Sequence, residues 1–162
     1  MVDFDGVYNI ENAKSLIDSS GVQGTDYNII GVIGCQSTGK STMLNLLFDC
    51  NFHTMDASKG RYQVTQGIWF CKSPKNPFFV LDLEGADSEV RGEDGAAFEQ
   101  MSSLFALAIS DVLIVNMWTA EVGRYKAASV GLLKTIFEVN MKLFNREAKQ
   151  RILFSLRDFN EA

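Results

Sequence analysis

The chain has 162 residues, of which 46% are hydrophobic and 22% charged, with a formal net charge of −5. That is the composition of one ordinary α/β domain able to bury a core. The acidic balance and the absence of any basic run exclude nucleic acid and anionic lipid as partners of this segment. No apolar run approaches the roughly 18 residues that a bilayer span requires, so no membrane contact is expected from it.

The first predicted element is a helix carrying Ile10, Ala13, Leu16 and Ile17 at helical spacing, with Gly21 as its stop. Gly24-Thr25-Asp26 is a turn, and residues 27–33 are a strand. Then comes Gly34-Cys35-Gln36-Ser37-Thr38-Gly39-Lys40-Ser41, a complete G-x-x-x-x-G-K-S loop, and a helix over residues 40–48. That order is what phosphate binding needs. Glycines let backbone N–H groups wrap a polyphosphate, and the following helix N-terminus adds partial positive charge. Lys40 reaches the β/γ oxygens, and the Ser41 hydroxyl is placed for Mg²⁺. The Cys35 thiol lies beside the helix N-terminus, and its small size suits an inert loop position.

Residues 49–66 form a long polar segment with poor periodicity, and loops of that length are usually functional or disordered. His53, the sole histidine, is expected to be a solvated loop residue. A Mg²⁺-bound nucleotide takes one more ligand from such a loop. Thr65 has the best position for it, and Thr54 and Ser58 are rivals by composition. Residues 68–71 and 78–82 read as two strands of a hairpin, whose connector, residues 72–77, holds both prolines. Asp82-Leu83-Glu84-Gly85 follows as D-x-x-G at a strand end. Asp82 is placed to hold Mg²⁺ through water, and Gly85 to offer its N–H to a γ-phosphate.

After a second polar loop over 84–95, a helix is expected over residues 96–109, then a short apolar strand at 112–115. A long helix at about 123–144 and a last strand at 152–156 complete the order. The alternation means a mostly parallel α/β sheet with helices on both faces, the three-layer fold of P-loop NTPases. Ligands in such sheets bind at the carboxyl ends of the strands. Arg157-Asp158 closes the last strand. Asp158, an acceptor-only carboxylate, suits the N1–H and exocyclic amine of guanine. On spacing alone, a surface Arg–Asp pair is the competing reading. Cys35, Cys50 and Cys71 are odd in number, fit no zinc spacing and follow no signal peptide, which points to a reducing, cytosolic compartment.

The sequence resembles the GTPase domain of atlastin-like, dynamin-superfamily proteins that fuse endoplasmic reticulum membranes, in the branch named root hair defective three in plants. The stretches that carry the resemblance are residues 34–48, Thr65-Gln66-Gly67-Ile68-Trp69, Leu81-Asp82-Leu83-Glu84-Gly85-Ala86-Asp87, Arg91-Gly92-Glu93-Asp94, residues 131–140 and Arg157-Asp158. It covers about residues 10–160. The resemblance implies one partial dynamin-type GTPase domain over residues 1–162 that binds and hydrolyses GTP with Mg²⁺ and releases GDP. It implies GTP-dependent homodimerisation and a place on the cytosolic face of the endoplasmic reticulum.

Residue by residue, it implies that Gly34 to Thr42, with Cys35, Gln36, Ser37, Thr38, Gly39, Lys40 and Ser41, bind the nucleotide together with Gly85, Arg157 and Asp158. Ser41, Thr65 and Asp82 would hold the metal, with Thr65 as the switch-one threonine. Gln36 and Ser37 would help place the attacking water. Atlastin carries a catalytic arginine where this chain has Ser37, and Arg61 is the substitute in the switch loop. The family's domain runs about twice this length, so the fold is expected to be truncated on its C-terminal side, without the strand and helix that cover the sheet edge and base pocket. The alternative function is a non-catalytic module that binds nucleotide or pairs with a full-length GTPase.

Overall fold

In a computed structural model of the chain, the residues described are 1–22, 24, 27–55, 64–85, 95–123, 134, 138 and 151–158. At the centre is β1 (Asn28–Ile33), apolar on both faces and buried along its last four residues. It pairs in parallel with β3 (Phe78–Leu83) on one side and β4 (Val112–Trp118) on the other. Two outer strands complete a five-stranded sheet in the order β2-β3-β1-β4-β5. β2 (Ile68–Lys72) is antiparallel to β3, and β5 (Arg151–Arg157) is parallel to β4.

The near-continuous apolar runs of β1, β3 and β4 follow from burial on both faces. Alternate side chains serve two separate cores. Ile30, Val32, Val80 and Ile114 pack with Leu44 of α2 (Lys40–Phe48) and with Cys50 and Phe52. Ile33, Leu81, Leu83, Leu113 and Val115 pack with Ala106 and Leu107 of α3 (Gly95–Ile109). The sheet is therefore covered on both faces, as the alternation of elements predicts.

α1 (Ile10–Ser19) starts at Asn9, whose side chain accepts the Asn12 N–H at 3.1 Å, and it buries no residue fully. Ahead of it, Val2 pairs with Ile68: the Val2 N–H reaches the Ile68 carbonyl at 3.0 Å and the reverse bond is 2.9 Å. The hairpin of β2 and β3 is the one expected from the two prolines.

Several expectations need correcting. β4 runs three residues past the predicted apolar stretch, to Trp118. Residues 49–55 are not uniformly polar surface, because Cys50 and Phe52 are buried under α2. The long helix expected at 123–144 lies almost wholly outside the described residues; within it, Lys134 and Glu138 are helical and pair at 3.7 Å. No helix among the described residues is long and apolar enough to cross a membrane. β5 is an edge strand with Leu153, Phe154 and Leu156 about half exposed.

Candidate nucleotide-binding site

The sheet order places β1 at a topological switch point, with the chain leaving toward β3 first and β4 later. Ligand crevices in open α/β sheets form at such points. The loop of residues 34–41 leaves β1 there, and Lys40 is the first residue of α2. Lys40 is buried, and its Nζ donates to the carbonyls of Gly34 and Cys35, both at 2.9 Å. Its charge is solvated by the loop that carries it.

The rest of the loop is tied down from beneath. The Thr38 hydroxyl donates to the Cys35 carbonyl at 2.9 Å. The Thr38 carbonyl accepts two side chains, Asn116 Nδ2 of β4 at 2.8 Å and Arg157 Nη1 of β5 at 2.7 Å. Arg157 also lies 5.8 Å from the Trp118 ring centroid, within cation–π range. Two strands thus fix one carbonyl on the side of the loop that faces the protein.

Beside Lys40, three oxygen side chains from three segments converge. Ser41 Oγ donates to Asp82 Oδ2 at 2.6 Å, and Thr65 Oγ1 donates to the same oxygen at 3.1 Å. The two hydroxyl oxygens are 3.1 Å apart. Among the described residues, Asp82 Oδ1 is buried without a hydrogen-bond partner. Burial pushes the Asp82 carboxyl above the usual carboxylate range, while the Ser41 bond, the Lys40 charge and the Thr65 bond pull it back. A buried carboxylate with a spare oxygen costs free energy unless something positive meets it. Two hydroxyls and one carboxylate are a hard donor set that suits Mg²⁺ completed by water and phosphate oxygens. The residues present fit that ion.

The cleft above this cluster is lined by Gln36, Ser37, Gly39, Lys40, Ser41, Thr42, His53, Thr54, Met55, Val64, Thr65 and Gly85. Gly85 faces Gln36 so closely that a Cβ there would sit 2.5–2.9 Å from the Gln36 N, Cα and Cβ. Only glycine lets the D-x-x-G segment approach the loop in this way.

Residues 33–162 match the family described as the Root hair defective 3 GTP-binding protein (RHD3) GTPase domain. The chain belongs to this family. It is 50% identical over 146 residues to Protein SEY1 homolog 1 of Trichomonas vaginalis, covering 88% of this chain and 18% of that protein. Protein SEY1 homolog of Dictyostelium discoideum is 50% identical over 143 residues, 84% of this chain and 16% of that one. Protein ROOT HAIR DEFECTIVE 3 of Oryza sativa subsp. japonica is 47% identical over 162 residues, 98% of this chain and 20% of that one. The chain spans about a fifth of the length of these relatives.

In this RHD3-family chain the residues singled out by sequence fall in different places. Gln36, Ser37, Gly39, Lys40, Ser41, Thr42, Thr65 and Gly85 line one cleft, with Asp82 beneath it. Thr54 lines the cleft as well, but the hydroxyl on Asp82 and Ser41 is that of Thr65. Thr38 and Cys35 are buried in the loop itself, and the Cys35 thiol donates to Glu121 Oε1 at 3.8 Å. Arg157 points to the loop's underside at Thr38, and Asp158 ends β5 exposed, with left-handed backbone (φ 54°). Neither lines the cleft. Arg61 and Ser58 lie outside the described residues. His53, expected to be a solvated loop residue, is exposed but lines the cleft and meets the Trp69 ring edge-on at 5.8 Å.

Two residues escaped the sequence reading. Asn116 is fully buried in β4, and Glu84 is buried at the end of β3. The signal for Asn116 was available, since an amide inside an apolar run at the carboxyl end of a strand calls for a polar partner. Nothing in the sequence separates Glu84 from an ordinary loop carboxylate.

Proposed function

We propose that the chain binds GTP with Mg²⁺ and hydrolyses it. The observation that carries the reading is the convergence of Ser41, Thr65 and Asp82 on one point beside the buried Lys40 ammonium. A cation–carboxylate cluster beside a lysine and a glycine-bearing loop is the arrangement that neutralises a triphosphate. Mg²⁺, when bound, withdraws charge from the β and γ oxygens.

The chain's own residues do the rest. Lys40 exchanges the carbonyls of Gly34 and Cys35 for phosphate oxygens. Gly85, Gln36 and Ser37 line the same cleft; the Gly85 N–H would meet a γ-phosphate, and Gln36 and Ser37 would orient a water for attack. Arg61 supplies transition-state charge, because Ser37 stands where atlastin proper has an arginine. Asp158 selects guanine through two N–H donors of the base.

In the longer protein, by resemblance to endoplasmic reticulum fusion GTPases, turnover drives pairing of two GTPase domains on the cytosolic face of that membrane and thereby its fusion. Titration with GTP and ATP in Mg²⁺ tests the base assignment. GTP should bind at least tenfold more tightly, about 1.4 kcal/mol. Equal affinity or tighter ATP would remove Asp158 from the site.

A further inference from the structure

Glu84 is a buried carboxylate that the reading above leaves without a task. It is 6% exposed. Its Oε2 accepts the Gly67 N–H at 2.6 Å, and its own N–H donates to the Gly67 carbonyl at 2.9 Å. Both backbone polar groups of Gly67 therefore end on one residue. Ile68↔Leu83 is the last pair in the β2–β3 register, so Gly67 and Glu84 are the next step of that ladder. In a regular antiparallel pair the second bond would join the Gly67 N–H to the Glu84 carbonyl. Here the side-chain carboxylate takes that place. A bond to an ionised acceptor is shorter and stronger than a backbone one.

Gly67 is held on its other side as well. Its φ is +79°, and a Cβ would collide with the Val2 carbonyl and stand 2.7 Å from that of Asp3. Val2 in turn pairs with Ile68 in both directions. The start of β2 is fixed between the N-terminal segment and Glu84. Thr65 lies two residues before Gly67, and Asp82 lies two residues before Glu84. The Gly67–Glu84 link thus spans the same two chain segments that Thr65 Oγ1 and Asp82 Oδ2 join at 3.1 Å.

We propose that Glu84 is a positioning residue, a latch that sets the register of the Thr65 segment on Asp82 before nucleotide or metal arrives. The inference rests on the reading of Ser41, Thr65 and Asp82 as the cation's holders. It makes the metal half of the site preformed, so Mg²⁺ meets a hydroxyl already in place.

Two measurements on the full chain test this. The first is amide hydrogen exchange at Gly67 in the absence of nucleotide and Mg²⁺. The second is the Mg²⁺ midpoint for binding a non-hydrolysable GTP analogue. Glu84→Ala should speed Gly67 exchange and raise the midpoint, each by about tenfold or more, the effect of losing a charge-assisted bond. Glu84→Gln keeps an acceptor oxygen and should recover most of both. Binding of the analogue in EDTA should stay at the parent value, since the phosphate loop is untouched.

If Glu84→Ala does not fold, Glu84→Asp carries the same expectation, because it keeps the charge and loses one methylene of reach. Unchanged Gly67 exchange would overturn the latch. Faster exchange with an unchanged Mg²⁺ midpoint would overturn its hold on Thr65. A parent chain whose analogue binding ignores Mg²⁺ would overturn the metal reading itself, a failure visible without any variant.

Discussion

Lys40 illustrates how the loop accommodates a buried charge. Its ammonium is buried, and two loop carbonyls accept from it at 2.9 Å each. Triphosphate binding is then an exchange of acceptors, with the gain set by the greater charge of phosphate oxygens. Lys40→Ala should lower affinity for a labelled GTP analogue by about 100-fold or more, from loss of charge-assisted bonds. A folded Lys40→Ala chain with parent affinity would refute the phosphate-loop reading. A second residue-scale expectation concerns thiols. The hydrogen bond from Cys50, helped by the Asn51 backbone and the Lys72 charge against the effect of burial, pulls the Cys71 thiol down to about 6. The Cys50 thiol is pushed up by the same contact and by burial. A lowered thiol is the more readily ionised and so the more reactive of the two. Brief iodoacetamide treatment followed by peptide mapping should find Cys71 modified ahead of Cys50 and the buried Cys35. Earlier labelling of either of those would contradict the assignment.

At the scale of elements, β4 and β5 act on the nucleotide site from behind. Asn116 and Arg157 hold one carbonyl of the phosphate loop, that of Thr38. Arg157→Ala should weaken GTP and GDP alike, by about tenfold, the size of one hydrogen bond to a charged donor. Competition titration of both nucleotides would check it, and a loss confined to guanine over adenine nucleotides would return Arg157 to base recognition. These contacts also show where the sequence could be read and where it could not. Strand, loop and helix around Lys40 were legible because local spacing dictates them, and so was the hairpin, because two prolines and two apolar runs leave little else. Asp82 and Thr65 were legible by order along the chain. Asn116 breaks the apolar run, so sequence alone predicts an end to β4 at Val115. The strand continues because the amide finds its partner in a loop 78 residues away. Nothing local predicts the burial of Cys50 and Phe52, which depends on α2 packing on the sheet and not on any period of their own. The pairing of Val2 with Ile68 has no local signal at all.

For the whole molecule, one catalytic question is left to a segment between α2 and β2. Under the proposed function, Arg61 meets transition-state charge when two domains pair, a role worth about 10³-fold in GTPases that use an arginine. In the full-length protein Arg61→Ala should cut turnover by that order and leave GTP binding near the parent value. A loss below about threefold, roughly 0.7 kcal/mol, would assign water placement by Gln36 and Ser37 the larger share.

β1 also divides the sheet into two parties. β3 and β2 bring Asp82, Gly85 and Thr65 to one side of the loop, while β4 and β5 bring Asn116 and Arg157 to the other, with Asp158 following β5. Beyond the loop's own residues, the groups that would feel the third phosphate stand on the first side. Under the proposed function, those that brace the loop or would meet the base stand on the second. The flank that meets the third phosphate is thus, under that function, a different part of the sheet from the flank that braces the loop.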